Sequence, residues 1–267
     1  DVYKRQGQVP TPELMYRKKR CIGCSECIKN CPREAILHAA NKISINRKRC
    51  NLCGQCCQRC PTEALAIIGQ EMSVEDVVKE IDKDVIFYDE SEGGVTVSGG
   101  EPLMQLDFLS ALLEECKEKD IHTAVDTCGF APHEAFDKIS DKVDLFLYDI
   151  KMMDGRKHIR YTGVSNEPIL ENFKRLAENG SALLPRFPII PGINDDEDNV
   201  TKTAEFILLH GAERITLLPY HRAGIEKYKS LGKAYKLKKI RPPSDEDLRL
   251  MKEKLESFGL RVKIGGG

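Results

Sequence analysis

The chain has 267 residues, with 41 Lys and Arg against 42 Asp and Glu, for a net charge of −1. That balance gives neither nucleic acid nor an anionic membrane a reason to bind the chain as a whole. No apolar run reaches the length of a membrane span and no signal peptide is visible, so no membrane partner is expected.

In chain order, residues 1–15 read as an irregular leader that contains Pro10 and Pro12, and Asp1–Gln6 looks foreign to the rest of the chain. Residues 16–70 carry 9 of the 11 cysteines, 8 of them in one repeated spacing. Cys21-x2-Cys24-x2-Cys27-x3-Cys31-Pro32 recurs with identical spacing as Cys50-x2-Cys53-x2-Cys56-x3-Cys60-Pro61. The likeness continues past the cysteines, since Pro32-Arg33-Glu34-Ala35-Ile36 matches Pro61-Thr62-Glu63-Ala64-Leu65. A binding unit has been duplicated. Its spacing is that of bacterial ferredoxins, in which the fourth cysteine of each set crosses to the other [4Fe–4S] cluster. Two such clusters are expected here, held by Cys21, Cys24, Cys27, Cys31, Cys50, Cys53, Cys56 and Cys60. Zinc is disfavoured, because structural zinc sites often separate their ligand pairs by longer gaps. Disulfide frameworks belong mostly to short secreted chains, so this pattern points to a reducing, anaerobic cytoplasm.

From Glu71 the pattern alternates between strand and helix. Ser73 caps a helix running to about Asp82, with Asp76 in the capping-box position. Val95–Ser98 is a short strand entering Gly99-Gly100, and Leu106, Leu109, Leu112, Leu113 and Cys116 form a helical stripe. His122–Asp126 is a strand, and Pro132 starts the next helix. Asp144–Asp149 is a buried strand, followed by a helix over Asn166–Asn179. Ala182–Phe187 is a strand, then a helix spans Asp196–His210. Arg214–Pro219 is a strand, a helix is capped at Ser244, and Leu260–Ile264 closes the chain. Such βα units indicate an α/β fold with a parallel sheet, and five or six of them over residues 71–267 fit a partial (β/α)6-type barrel better than a complete eight-stranded one. Working residues gather at the carboxyl ends of the strands in such sheets. Ser98–Glu101, Asp126–Gly129, Asp149–Lys151, Arg186 and His221 all fall there.

Gly99-Gly100-Glu101-Pro102, Asp126-Thr127-Cys128-Gly129, Asp149-Ile150-Lys151, Arg186 before Pro191-Gly192, and Leu217-Leu218-Pro219-Tyr220-His221 together resemble the radical SAM activating enzymes of glycyl radical enzymes. The resemblance covers nearly the whole chain from Gly7. The cysteine-rich unit resembles the insert of the subgroup that serves dehydratases, lyases and decarboxylases. The resemblance implies that Gly99, Gly100 and Glu101 hold the amino group of S-adenosylmethionine, two glycines allowing close approach and a carboxylate meeting an ammonium. It implies that Asp126 and Asp149 bind a monovalent cation. Lys151 and Arg186 would neutralise the methionyl carboxylate, and His221 would contact the cofactor. Cys116 is expected in the core, and Cys128 is given no role.

The same resemblance calls for a third [4Fe–4S] cluster on a C-x3-C-x2-C loop after a first barrel strand, ahead of Gly7–Tyr16. Neither the loop nor the strand is found, so the chain is expected to be a truncated form lacking its catalytic cluster ligands. Cys53-x3-Cys57-x2-Cys60 matches the motif formally, but using it would strip two ligands from the duplicated unit. Cys57 is therefore read as a bystander.

The expected activity of the intact protein is reductive cleavage of S-adenosylmethionine and hydrogen abstraction from a glycine of a partner glycyl radical enzyme. A low-potential donor such as flavodoxin or ferredoxin would supply the electrons. One rival is a ferredoxin-type electron-transfer module fused to an unrelated barrel. Another is a radical SAM enzyme acting on a small molecule.

Overall fold

In the computed structural model, residues 11–40 and 42–265 are described. The expected irregularity of residues 1–10 and the foreign character of Asp1–Gln6 lie outside them. The chain divides into two compact units.

The first unit comprises residues 11–71 together with Ala223–Lys238. Its elements are β1 (Glu13–Tyr16), α1 (Glu26–Lys29), β2 (Ile36–Ala39), β3 (Lys42–Ile45), α2 (Gln55–Gln58) and β4 (Leu65–Ile68). The offset that carries Cys21 to Cys50 also carries β1 onto β3, α1 onto α2 and β2 onto β4, so the duplication extends from the cysteines to the whole backbone. Even the left-handed positions repeat, Gly23 with Leu52, Ser25 with Gly54, and Glu34 with Glu63. The halves interlock in antiparallel pairs, β1 with β4 and β2 with β3. A small core of Leu14, Cys27, Ile36, Ile43, Cys56 and Leu65 lies between them. Residues 13–15 therefore belong to the duplicated unit, not to the irregular leader expected at 1–15. Leu14 and Tyr16 are the repeat counterparts of Ile43 and Ile45, a signal visible only once the repeat is run backwards from its cysteines.

The second unit begins with α3 (Val74–Ile81) and α4 (Val85–Ser91), then β5 (Gly94–Val97), α5 (Leu106–Glu118), β6 (His122–Thr127), α6 (His133–Asp137) and β7 (Leu145–Asp149). It continues with α7 (Gly155–Thr162), α8 (Glu167–Glu178), β8 (Leu183–Ile189), α9 (Glu197–Leu209) and β9 (Arg214–Pro219). The chain then enters α10 (Ala223–Ser230), which belongs to the first unit, before returning to α11 (Asp245–Glu256) and β10 (Arg261–Ile264). The sequence pattern assigns all of 71–267 to the barrel. The structure corrects this by packing Ala223–Lys238 with residues 11–71, where Lys233 Nζ pairs with Glu13 Oε1 at 2.8 Å.

Six strands form one parallel sheet in the order β5-β6-β7-β8-β9-β10, each strand beside its neighbours in sequence. This is the expected α/β architecture. Its core includes Val125, Phe146, Tyr148, Phe173, Phe187, Ile207 and Leu217, all essentially inaccessible to solvent. Capping boxes at Ser73–Asp76 and Ser244–Asp247 start α3 and α11 as the sequence suggests. Two expectations fall short. β8 runs on through Pro188 to Ile189, although Pro185 and Pro188 contribute no ladder donors. Helix α7 is not foreseen, because only Asp154, which accepts from Lys157 N at 2.8 Å, announces its start.

Candidate active site and cluster cavities

Strand register assembles the charged cradle. Asp149 at the end of β7 lies directly across from Arg186 in β8, while Asp126 of β6 lies across from Leu147, two positions before Asp149. Side chains two apart share a face of a sheet, so the three converge. Arg186 donates from Nε to Asp149 Oδ1 at 2.9 Å and from Nη2 to the same oxygen at 2.7 Å, and Nη2 also contacts Asp126 Oδ1. Burial alone would lower the pKa of the guanidinium. The carboxylates of Asp149 and Asp126 outweigh it and raise the value. Lys151, buried just past β7, brings its Nζ to 3.5 Å from Asp149 Oδ2.

The loop after β5 adds Glu101. Its Oε1 accepts from Thr127 Oγ1 at 2.7 Å and its Oε2 from Cys128 N at 2.9 Å, so both oxygens are oriented. Ser98 donates to Asp126 Oδ2 at 3.2 Å. Gly99 has φ +143°, a conformation that side chains other than glycine rarely adopt. Gly100 follows it on the exposed approach to Glu101. Gly129, two positions past β6, has φ +73°, and a Cβ there would sit 1.9 Å from Tyr148 Oη. Tyr148 cannot retreat readily, since it is fully buried and donates to Ile169 O at 2.7 Å.

Of the residues expected at this site, Glu101, Asp126, Asp149, Lys151 and Arg186 come together, with Gly99 and Gly100 leading into Glu101. His221 lies exposed beyond β9. The supports of the cradle escape a sequence reading. Thr127 steers Glu101, and buried Asn194 donates to Lys151 O at 3.0 Å and to Pro188 O at 2.6 Å while accepting from Ile190 N at 2.8 Å. Asn199 extends this lattice, donating to Asn194 O at 2.8 Å and accepting from Met153 N at 2.8 Å. Their only sequence signal is the placement of two asparagines in the turn and first helical residues after a strand end. A site that gathers the oriented Glu101 carboxylate with the Lys151 ammonium and the Arg186 guanidinium suits a zwitterionic ligand, such as the amino-acid end of S-adenosylmethionine.

The cysteines surround two separate cavities in the first unit. Cys21, Cys24 and Cys27 line one, together with Cys60; Cys50, Cys53 and Cys56 line the other, together with Cys31. The fourth cysteine of each set has crossed over. Ala35 N donates to Cys31 Sγ and Ala64 N to Cys60 Sγ, each at 3.2 Å, so this contact too is duplicated. Among the described residues no three His, Cys, Asp or Glu side chains converge closely enough for a single metal ion. A tetrahedral zinc site would need its sulfurs within roughly 3.8 Å of one another. Cys53 and Cys60 lie on different cavities and Cys57 on neither. Tyr16 also lines the first cavity, and its buried hydroxyl has no hydrogen-bond partner among the described residues.

Residues 48–204 match the model of the radical SAM superfamily, and residues 20–64 match that of the 4Fe-4S dicluster domain. The chain belongs to the radical SAM superfamily. It is 47% identical over 264 residues to the trans-4-hydroxy-L-proline dehydratase activating enzyme of Clostridioides difficile, covering 98% of this chain and 87% of that protein. It is 35% identical to the choline trimethylamine-lyase activating enzyme of Oleidesulfovibrio alaskensis, covering 97% and 86%. The solved domain of a pyruvate-formate lyase-activating enzyme from Bacteroides vulgatus is 38% identical, with a TM-score of 0.55, and covers 65% of this chain and 99% of that one. Within the superfamily this radical SAM protein stands with the activating enzymes of glycyl radical enzymes. Among its described residues no helix is long and apolar enough to cross a membrane.

Proposed function

We propose that this radical SAM protein activates a glycyl radical enzyme, and that each cysteine cavity holds one [4Fe–4S] cluster. Clusters held there would supply single electrons for the reductive cleavage of S-adenosylmethionine that abstracts a hydrogen atom from a partner glycine. The observation that carries this reading is the convergence of Glu101, Asp126, Asp149, Lys151 and Arg186 in a chain that also builds two crossed four-cysteine cavities.

The chain's own residues have distinct tasks. Glu101, held by Thr127 and the Cys128 amide, offers its remaining lone pairs to the ligand's ammonium. Lys151 and Arg186 meet its carboxylate. As Arg186 turns toward that carboxylate, Asp126 and Asp149 keep oxygens for a monovalent cation, which links cation binding to ligand binding. His221 closes over the ligand from the segment after β9. Cleavage also requires a third cluster on a C-x3-C-x2-C loop, which the 267 residues do not supply outside the dicluster cavities.

The deciding experiment is anaerobic incubation of the protein carrying that loop with S-adenosylmethionine, a low-potential reductant and a glycyl radical enzyme. The hydroxyproline dehydratase class is the first partner to try. A glycyl doublet in the electron paramagnetic resonance spectrum, with 5′-deoxyadenosine formed alongside, supports the reading. 5′-Deoxyadenosine without any protein radical on the dehydratase or on the partners of the other relatives would favour a small-molecule substrate instead.

A further inference from the structure

The net charge of −1 conceals a division. Residues 11–71 with Ala223–Lys238 carry 16 Lys and Arg against 6 Asp and Glu, a net +10. The described remainder, 72–222 with 239–265, carries 23 against 35, a net −12. Two cubanes on eight thiolates bring about −2 each, which leaves the cluster unit at roughly +6.

Part of this excess is built into the duplication. Lys18-Lys19-Arg20 and Arg47-Lys48-Arg49 occupy equivalent places in the repeat, each just ahead of the first cysteine of its set, and all six are exposed. In the first copy the run forms a single turn, Lys18–Arg20. Lys42 fastens it, donating from Nζ to Lys18 O at 2.7 Å and to Cys21 O at 2.6 Å. Ile22 comes next, 67% exposed, followed by exposed Cys24, and both line the first cavity. An apolar side chain beside an exposed cluster ligand, rimmed by three cations, is the anatomy of a small docking face. The rim pairs Lys19–Glu226 at 3.7 Å and Arg20–Glu63 at 3.5 Å are exposed and leave the positive field largely intact.

We propose that the Lys18–Cys24 face receives an acidic one-electron carrier protein, and that electrons enter through the cluster of Cys21, Cys24, Cys27 and Cys60. The proposal rests on the reductive function proposed above. One electron leaves the reduced carrier and reduces the oxidised cluster, with no proton or group transferred. Opposite fields steer such encounters, and electron-transfer complexes are typically small and transient. A nucleic acid suits the face less well. The unit has no Trp or Phe, Tyr228 and Tyr235 pack on each other at 4.9 Å, and the Tyr16 hydroxyl is enclosed, so no aromatic platform is offered to bases.

The test is anaerobic stopped-flow bleaching of the cluster absorbance of the full chain by a photoreduced acidic flavodoxin, with the variant Lys18→Glu/Lys19→Glu/Arg20→Glu for comparison. The expected result is a second-order rate at least tenfold lower in the variant, and a similar fall for the unaltered protein between about 50 and 500 mM salt. The variant should still hold the same iron and reach the same dithionite-reduced spectrum, which separates lost docking from lost clusters. Equal rates for the two proteins, or rates indifferent to salt, overturn the proposal. So does micromolar binding of a short single-stranded RNA, at near-physiological salt, that competes with the carrier. These rates are read without S-adenosylmethionine or a glycyl radical enzyme, so the docking face and the activase reading can fail separately.

Discussion

Arg186 makes two donations to one carboxylate oxygen of Asp149, from Nε at 2.9 Å and from Nη2 at 2.7 Å, directly across the β7–β8 pairing. Arg186→Ala would leave Asp149 and Asp126, both largely buried, without their shared guanidinium. We expect a loss of about 3–5 kcal/mol in stability. Arg186→Lys should recover part of that loss but not the binding of S-adenosylmethionine, because a lysine lacks the planar fork. Urea denaturation and equilibrium dialysis check the two effects. Full stability of Arg186→Ala would refute the structural role.

The close approach of Gly129 to Tyr148 predicts a coupled pair. Gly129→Ala places a methyl group 1.9 Å from Tyr148 Oη at φ +73° and should destabilise by about 2–4 kcal/mol. Adding Tyr148→Phe removes the hydroxyl and unties the ring from Ile169 O, so that its Cζ, 2.3 Å from the new methyl, can shift aside, and the double variant should be more stable than the sum of the two single changes predicts. Strict additivity would mean that the clash is relieved elsewhere.

The crossed cysteines make an unusual prediction for pairs of substitutions. Cys24→Ala with Cys60→Ala alters ligands of one cavity only, and the protein should keep about four of its eight dicluster irons. Cys24→Ala with Cys31→Ala alters both cavities and should damage both clusters. Iron analysis with Mössbauer spectroscopy distinguishes them. The reverse ranking would restore the uncrossed assignment.

Tyr16 should tune one cluster and not the other. A hydroxyl donating to cluster sulfur favours the more negative, reduced state, and only the first cavity includes this side chain. Tyr16→Phe should therefore lower the potential of the Cys21–Cys24–Cys27–Cys60 cluster and leave its neighbour unchanged. A redox titration followed by electron paramagnetic resonance reads both; equal shifts in the two clusters would argue against a local hydrogen bond.

Cys128 predicts a pH response. Burial, then the Glu101 carboxylate, pushes its thiol up to about 12. An unfolded thiol ionises near about 8.5. The folded state thus keeps a proton that the unfolded state releases, and stability from this group is complete below that pH and declines as pH rises toward 12. Iodoacetamide at mildly alkaline pH should spare Cys128 in the native protein and label it after denaturation. Rapid native labelling, read by peptide mass spectrometry, would contradict this.

The most legible parts of this protein are those where local chemistry decides the outcome. The cysteine spacing announces the duplicated unit, and the strand-end residues Glu101, Asp126, Asp149, Lys151 and Arg186 mark the cradle. Capping boxes at Ser73 and Ser244 set two helix starts. What escapes is non-local. β1 gains its strand character by pairing with β4, which lies beyond both cysteine sets, and its own residues show little alternation. Asn194 and Asn199 look like ordinary loop and helix-start residues until folding brings Lys151 O within their reach. The return of Ala223–Lys238 to the cluster unit arises from tertiary packing, which no local pattern encodes.

That return has a consequence for biogenesis. The cysteines emerge early from the ribosome, but α10, the helix that completes their unit, is made only after β9. The residues that line both cysteine cavities all lie between Leu14 and Ile67, so iron can be loaded before that helix exists, and α10 joins a unit whose cavities are already lined. The electron store can thus be filled before the polypeptide that is to use it has been made.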